Sequence, residues 1–216
     1  GVRVRALDGI DLEVGPGELL AVMGPSGSGK STLLNILGML DVPTGGEYFL
    51  EDIEVGQLSD VEQATIRNRK IGFIFQSFNL FPHLSVEENV EVPMVYGRVP
   101  GRIRRKRALE LAQRVGLGHR LGHRPTQLSG GECQRIAIAR ALSNNPAFIL
   151  ADEPTGNLDP AAADGLMQLL RWIVSRGCAV LMSTHNISNI QQYPSRTLRF
   201  NQGRVEEIDM QSILGI

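Results

Sequence analysis

The chain has 216 residues, 42% of them hydrophobic, and a formal net charge of −1. That is enough to bury one substantial core, and too little positive charge for a nucleic-acid surface to organise the molecule. Two cysteines, Cys133 and Cys178, exclude a disulfide scaffold or a cysteine-built zinc site and suit a reducing compartment. No apolar run approaches the ~20 residues that span a bilayer, and the opening residues lack the apolar stretch of a signal peptide, so neither secretion nor membrane insertion is expected.

Residues 2–14 alternate loosely, with Val2, Val4, Ala6, Ile10, Leu12 and Val14 between charged neighbours, which predicts strands with one solvated face. Gly15-Pro16-Gly17 turns the chain into an apolar strand, Leu19-Leu20-Ala21-Val22-Met23. Next comes Gly24-Pro25-Ser26-Gly27-Ser28-Gly29-Lys30-Ser31-Thr32, the pattern G-x-x-x-x-G-K-[ST], running into the helical stretch Leu33-Leu34-Asn35-Ile36-Leu37. Asp41-Val42-Pro43 stops that helix, and Gly45-Gly46 introduces a short antiparallel strand pair around residues 47–53. Asp60 is expected to cap a helix through about Arg69, followed by the strand Ile71-Gly72-Phe73-Ile74-Phe75 and Gln76.

From residue 77 to 139 the texture is helical. Ser85-Val86-Glu87-Glu88 is a capping-box start, a helix is expected from Arg102 to Val115, and Asn144-Asn145-Pro146 ends a later one. Strands then recur at Phe148-Ile149-Leu150-Ala151 and at residues 178–183, separated by a helix from Pro160 capped by Asp159. Continuous apolar strands between helices predict a mostly parallel sheet covered on both faces. The expected organisation is one α/β domain over residues 1–216, with residues 1–76 and 140–216 as the core and 77–139 as an inserted helical subdomain. Ligands of such sheets gather at the carboxyl ends of the strands, where the glycine-rich loop, Gln76, Asp152 and His185 all fall.

Each of these residue types has chemistry to offer. The loop Gly24 to Thr32 reads as a phosphate-binding P-loop: its glycines let backbone N–H groups converge on anionic oxygens at a helix N-terminus. Lys30 would place a point charge at the β- and γ-phosphates of a nucleotide, and Ser31 would occupy one position on Mg²⁺. The strand ending in Asp152-Glu153 delivers two carboxylates, Asp152 for Mg²⁺ and Glu153 to polarise an attacking water. Ser129-Gly130-Gly131 opens a second helix with a hydroxyl and closely approachable N–H groups. Alone it is a good helix cap; beside a P-loop it suggests a second phosphate contact supplied by another subunit.

Taken together, these residues resemble the nucleotide-binding subunit of an ABC transporter. Residues 24–32 stand where that family has Walker A, Gln76 its Q-loop, Leu128-Ser129-Gly130-Gly131-Glu132-Cys133-Gln134 its signature, and Phe148-Ile149-Leu150-Ala151-Asp152 with Glu153 its Walker B. Gly156-Asn157-Leu158-Asp159 matches the D-loop and His185 the switch histidine. The stretches around Gln76, residues 87–93 and residues 151–159 are similar to the macrolide-export and lipoprotein-release branch.

The resemblance implies an ABC-type P-loop NTPase fold, with a small antiparallel β subdomain, that binds and hydrolyses ATP with Mg²⁺. It implies a head-to-tail dimer in which Lys30, Ser31, Gln76, Asp152, Glu153 and His185 of one copy face Ser129, Gly130 and Gly131 of the other across each ATP. It further implies a separate transmembrane permease subunit, a peripheral location on the cytoplasmic side of the inner membrane, and no nucleic-acid partner. An ATP-driven switch on a cell-envelope protein that transports nothing would use the same residues. Three positions depart from the family pattern: Cys133 and Asn186 replace more usual residues, and no aromatic residue precedes Leu7 to stack on adenine, so the chain is expected to begin after that aromatic. His119 and His123 read as loop histidines rather than zinc ligands. The apolar stretch 78–84 serves either the core or a groove for a membrane subunit. The basic run Arg102-Ile103-Arg104-Arg105-Lys106-Arg107 reads as a solvated helix face, with a weak contact to anionic lipid as the alternative.

Overall fold

The computed structural model describes residues 6–185, 192–193 and 196–208. A six-stranded sheet forms its centre, built from β1 (Leu19–Met23), β4 (Ile71–Phe75), β5 (Phe148–Asp152), β6 (Ala179–Thr184), β7 (Arg196–Asn201) and β8 (Arg204–Ile208). The strands lie in the order β4-β5-β6-β1-β7-β8, and every neighbouring pair is parallel except β7 with β8. The short strands β2 (Phe49–Leu50) and β3 (Ile53–Glu54) form a separate antiparallel pair. The architecture expected from the apolar strands and intervening helices is therefore present.

Alternate strand residues point to opposite faces, and both faces are apolar, which is why the central strands read as unbroken hydrophobic runs. Leu19, Ala21, Ile74, Ile149, Ala151, Val180 and Met182 pack on one side with α3 (Val86–Tyr96), α4 (Gly101–Arg114), α5 (Gly130–Ala141) and α6 (Pro160–Val174). Leu20, Val22, Ile71, Phe148, Leu150, Ala179 and Leu181 pack on the other with Leu33 and Leu34 of α1 (Lys30–Leu37). Residues of α3 and α4 thus share one continuous core with the sheet. Tight packing follows at Gly72, where a Cβ would lie 2.7 Å from the Ala141 carbonyl oxygen at the end of α5.

Local signals held for most helices. Ser85 and Ser129 cap α3 and α5 through reciprocal contacts with Glu88 and Glu132, and Asp159 caps α6 through Ala162 N. At α2 (Asp60–Lys70) the cap is Ser59 rather than Asp60. The Ser59 hydroxyl accepts from Glu62 N while the Glu62 carboxylate accepts from Ser59 N, so the capping box moves the start back by one residue.

One expectation was wrong and one element was unforeseen. Residues 7–14 form no strand; Leu7, Ile10, Leu12 and Val14 instead pack against the core on the α1 side, so their alternation serves burial without a ladder partner. The β7–β8 hairpin was not anticipated. Its turn residues Gln202 and Gly203 have φ of 50° and 80°, the doubly positive geometry of a two-residue hairpin loop, but Gln-Gly is a weaker turn signal than Asn-Gly.

Candidate functional site

Sheet register assembles one edge of the site. Phe75, Asp152 and Ser183 lie side by side at the carboxyl ends of β4, β5 and β6, and Val22 of β1 continues that row beside Ser183. Gln76 and Glu153 follow directly, and His185 and Gly24 come one residue further, just after the last residues of β6 and β1. Motifs more than 100 residues apart in sequence thereby reach one line, because parallel strands all end on the same side.

The P-loop links β1 directly to α1, and two of its glycines, Gly24 and Gly29, are required by space. A Cβ at Gly24 would lie 2.7 Å from the Phe200 carbonyl oxygen, and one at Gly29, where φ is +114°, would lie 2.5 Å from the Ala6 carbonyl oxygen. No side chain caps α1 and no acid sits in its first turn, unlike α2, α3 and α5. The leading amides of α1 are therefore free for an anion, with the positive end of the helix behind them. Lys30 folds over the loop and donates to the carbonyl oxygens of Gly24 at 2.7 Å and Pro25 at 2.9 Å. Pro25, Ser26, Gly27 and Ser31 are exposed, Thr32 is half-buried, and the buried Ser28 hydroxyl has no hydrogen-bond partner among the described residues. An orphaned hydroxyl, free amides and a positive charge are the donor set that a triphosphate requires.

The two carboxylates diverge at the end of β5. Asp152 Oδ1 accepts from the Ser183 hydroxyl at 2.6 Å, and that hydroxyl accepts in turn from Glu153 N at 2.9 Å. Glu153 has φ +45°, a conformation that costs a non-glycine residue on the order of 1–2 kcal/mol and is held here by this hydrogen bond. Its carboxylate turns to His185, whose Nδ1 lies 2.8 Å from Glu153 Oε2; the His185 side chain is 70% exposed and that of Glu153 18%. Glu153 is thus sheltered by protein while its histidine partner reaches solvent.

Gln76 is exposed, with its side-chain amide so close to the chain at Gly156 that a Cβ there would lie 2.8 Å from Gln76 Nε2. Asn157 donates to the Gln76 carbonyl oxygen at 3.1 Å. Beyond Gln76 the backbone makes two left-handed steps, at Phe78 (φ 62°) and Asn79 (φ 49°), and Arg140 of α5 donates to both carbonyl oxygens. Asn89, fully buried on α3, accepts from Phe81 N and donates to the carbonyl oxygens of Phe81, Leu84 and Ser85. The 78–84 stretch is therefore held by polar contacts, with Leu80 packed on the core and Phe81 42% exposed.

Ser129, Gly130 and Gly131 lie elsewhere. They line a groove with Arg135, Asn157, Leu158, Asp159 and Ala162, and no P-loop residue lines it. The Ser129 hydroxyl accepts from Glu132 N at 3.2 Å, and the Glu132 carboxylate accepts in return from Ser129 N at 2.8 Å. Gly131 lets α5 approach α6, since a Cβ there would lie 3.1 Å from Ala162 Cβ. Cys133 is buried behind this turn with Sγ 3.6 Å from the Pro125 carbonyl oxygen, and burial raises its thiol pKa, so it fills space as an un-ionised side chain. Asn186 lies outside the described residues.

Sequence reasoning gave no individual role to Ser183, Arg140, Asn89 or Gln134. Gln134 is fully buried and donates to the Pro154 carbonyl oxygen at 2.7 Å, tying α5 to the segment after Glu153. Ser183 carried the only available signal, a hydroxyl at the end of an apolar strand two residues before His185.

Comparisons with known proteins agree with this geometry. The model of the ABC transporter family matches residues 7–156. The macrolide export ATP-binding/permease protein MacB of Brucella abortus is 50% identical over 204 residues, which are 94% of this chain and 31% of that protein, so the chain spans about a third of MacB. The lipoprotein-releasing system ATP-binding protein LolD of Myxococcus xanthus is 48% identical over 208 residues, 96% of this chain and 92% of that one. Among solved structures, the ATP-binding cassette MJ0796 of Methanocaldococcus jannaschii, a post-hydrolysis dimer bound to ADP and Pi, superposes with a TM-score of 0.84 at 45% identity, covering 95% of this chain and 92% of that one. With the matched domain spanning well over half the chain and the P-loop, carboxylate pair and second helix cap all in place, the chain belongs to the ABC transporter family.

Proposed function

We propose that the protein is the ATP-binding and hydrolysing subunit of an ABC transporter, working as a head-to-tail dimer that drives a transmembrane permease from the cytoplasmic side of the cell membrane. The observation that carries this reading is the separation of two phosphate-grade helix ends. The P-loop, Gln76, Glu153 and His185 share one edge, while Ser129, Gly130 and Gly131 open a different groove that a second copy would complete.

In this reading Lys30 leaves the carbonyl oxygens of Gly24 and Pro25 for the β- and γ-phosphate oxygens, and the amides of the loop and of the first turn of α1 bind the same anion. Ser31, Asp152 and Gln76 would hold Mg²⁺, which supplies charge neutralisation on the phosphates. Glu153 accepts the proton of the attacking water as the oxygen bonds to the γ-phosphorus and the bond to the bridging oxygen breaks, releasing ADP. His185 orients the Glu153 carboxylate through its 2.8 Å contact and extends to the γ-phosphate. Ser129, Gly130 and Gly131 of the second copy donate to the same phosphate, so its loss removes a bridge between subunits. Residues 77–139 act as the helical subdomain that transmits this change to the permease. The macrolide-export and lipoprotein-release branch is the proposed placement.

Glu153→Gln tests the scheme. It should lower turnover by ~10²–10⁴ with ATP binding retained, and should yield an ATP-dependent dimer by light scattering that copurifies with a membrane protein. Unchanged turnover removes Glu153 from its role; a dimer with no membrane partner removes the transport reading.

A further inference from the structure

Six of the chain's 22 lysines and arginines fall between Arg98 and Arg107, and no aspartate or glutamate stands between Glu91 and Glu110. In a chain of net charge −1 this is a strongly focused positive region. The fold sorts these cations into two kinds. Arg104 is committed to structure, with Nε 2.9 Å from Glu91 Oε2 and Nη1 donating to the Val99 carbonyl oxygen, and Arg107 donates to the Ser143 carbonyl oxygen. Arg98, Arg102 and Arg105 are exposed without a partner among the described residues, and Lys106 makes only a 3.9 Å approach to Glu110 between two side chains more than half exposed.

The same stretch presents apolar side chains to solvent. Val95 and Tyr96 in the last turn of α3 are 51% and 77% exposed, and Ile103 in the first turn of α4 is 50% exposed. Only the short connection through Gly97-Arg98-Val99-Pro100 separates the two turns, which brings the three exposed apolar groups close along the chain to Arg98, Arg102, Arg105 and the weakly paired Lys106. Arg102 and Lys106, at i and i+4, are neighbours on α4. An ordinary solvated helix face needs neither an exposed aromatic nor the absence of acids.

We infer that this surface binds the anionic face of a phospholipid bilayer directly, without a permease. Its cations meet headgroup phosphates, and Tyr96, Val95 and Ile103 enter the boundary between headgroup and acyl chain, where an aromatic or branched side chain leaves water. Duplex nucleic acid would engage the cations but leave those three side chains in water. Each lysine or arginine at an anionic surface strengthens binding about fivefold, so removing three should weaken it on the order of a hundredfold.

The test is flotation of the purified chain with vesicles of phosphatidylglycerol and phosphatidylcholine, against vesicles of phosphatidylcholine alone. Flotation should require the anionic lipid and weaken as salt rises from about 0.1 M to about 0.5 M. Arg102→Ser/Arg105→Ser/Lys106→Ser and Tyr96→Ser/Ile103→Ser should each lose flotation while ATP hydrolysis in solution is unchanged. Arg102→Lys/Arg105→Lys should float as the parent does, which separates lost charge from lost fold. Equal flotation with neutral vesicles, no flotation at all, or full flotation of the serine variants overturns the inference. Retention on a duplex oligonucleotide without vesicle binding overturns it in favour of nucleic acid.

Discussion

Replacing Ser183 with alanine tests whether the placement of Glu153, rather than its mere presence, sets the rate. Ser183 is fully buried, and its hydroxyl makes two bonds at once, donating to Asp152 Oδ1 at 2.6 Å and accepting from Glu153 N at 2.9 Å. The first is charge-assisted, worth ~1.5–3 kcal/mol, and the second ~0.5–1.5 kcal/mol. Their loss should destabilise the protein by about 2–4 kcal/mol in urea unfolding. With its amide released, Glu153 no longer has the contact that holds its φ of +45°, and its carboxylate leaves the position set opposite His185. A displacement of about 1 Å at a catalytic group costs roughly a hundredfold in turnover. ATP affinity measured without divalent cation should change little, because the Ser183 hydroxyl bonds to Asp152 and Glu153 and not to the P-loop. The decisive comparison is the double variant: on a Glu153→Gln background, Ser183→Ala should lower turnover far less than it does alone, since the part of its effect that runs through Glu153 is already lost and only the part through Asp152 remains. Unchanged turnover in the single variant, or additive losses in the double, would refute the argument.

Three further outcomes follow from other contacts. Lys30→Ala should weaken ATP binding by ~1.5–3 kcal/mol, the scale of a hydrogen bond to a charged group, read by calorimetric titration; unchanged affinity would remove Lys30 from the phosphates. Gly29→Ala should abolish nucleotide binding and lower stability by ~1–3 kcal/mol, because its Cβ would overlap the Ala6 carbonyl oxygen, whereas Gly27→Ala, with open space around it, should cost only ~1–2 kcal/mol for its positive φ. Equal effects at the two sites would show that space is not the cause. Tyr48 donates to the Leu37 carbonyl oxygen, and burial pushes its pKa up to about 12. Because the folded value lies above the unfolded one, its contribution is complete below pH ~10 and lost as pH rises through ~12. The difference in urea midpoint between the parent and Tyr48→Phe should shrink over that window, and a constant difference would sink the assignment.

Much of the protein was legible in its sequence for local reasons. The P-loop, the capping boxes at Ser85 and Ser129, the Asp159 cap and the apolar strands are each encoded within a few residues, so their pattern survives without knowledge of the fold. Parallel strands with their carboxyl ends on one side also placed Gln76, Asp152 and His185 at a common edge. What failed locally did so for identifiable reasons. Residues 7–14 alternate like a strand but have no ladder to join, and the β7–β8 turn uses Gln202 where asparagine would have announced it.

The sequence by itself determined which groups are on offer: a glycine-rich loop ending in Lys30-Ser31, a carboxylate pair, a histidine and a second helix cap, each recognisable from residue type and spacing. Only tertiary structure decided how these groups are held. That Ser183 bridges Asp152 and Glu153, that Arg140 fixes two left-handed residues beyond Gln76, and that the Ser129 cap opens away from the P-loop all depend on contacts between segments 30 to more than 60 residues apart. Such contacts leave no periodic trace, because a single serine or arginine reads the same in sequence whether it meets solvent or a buried partner.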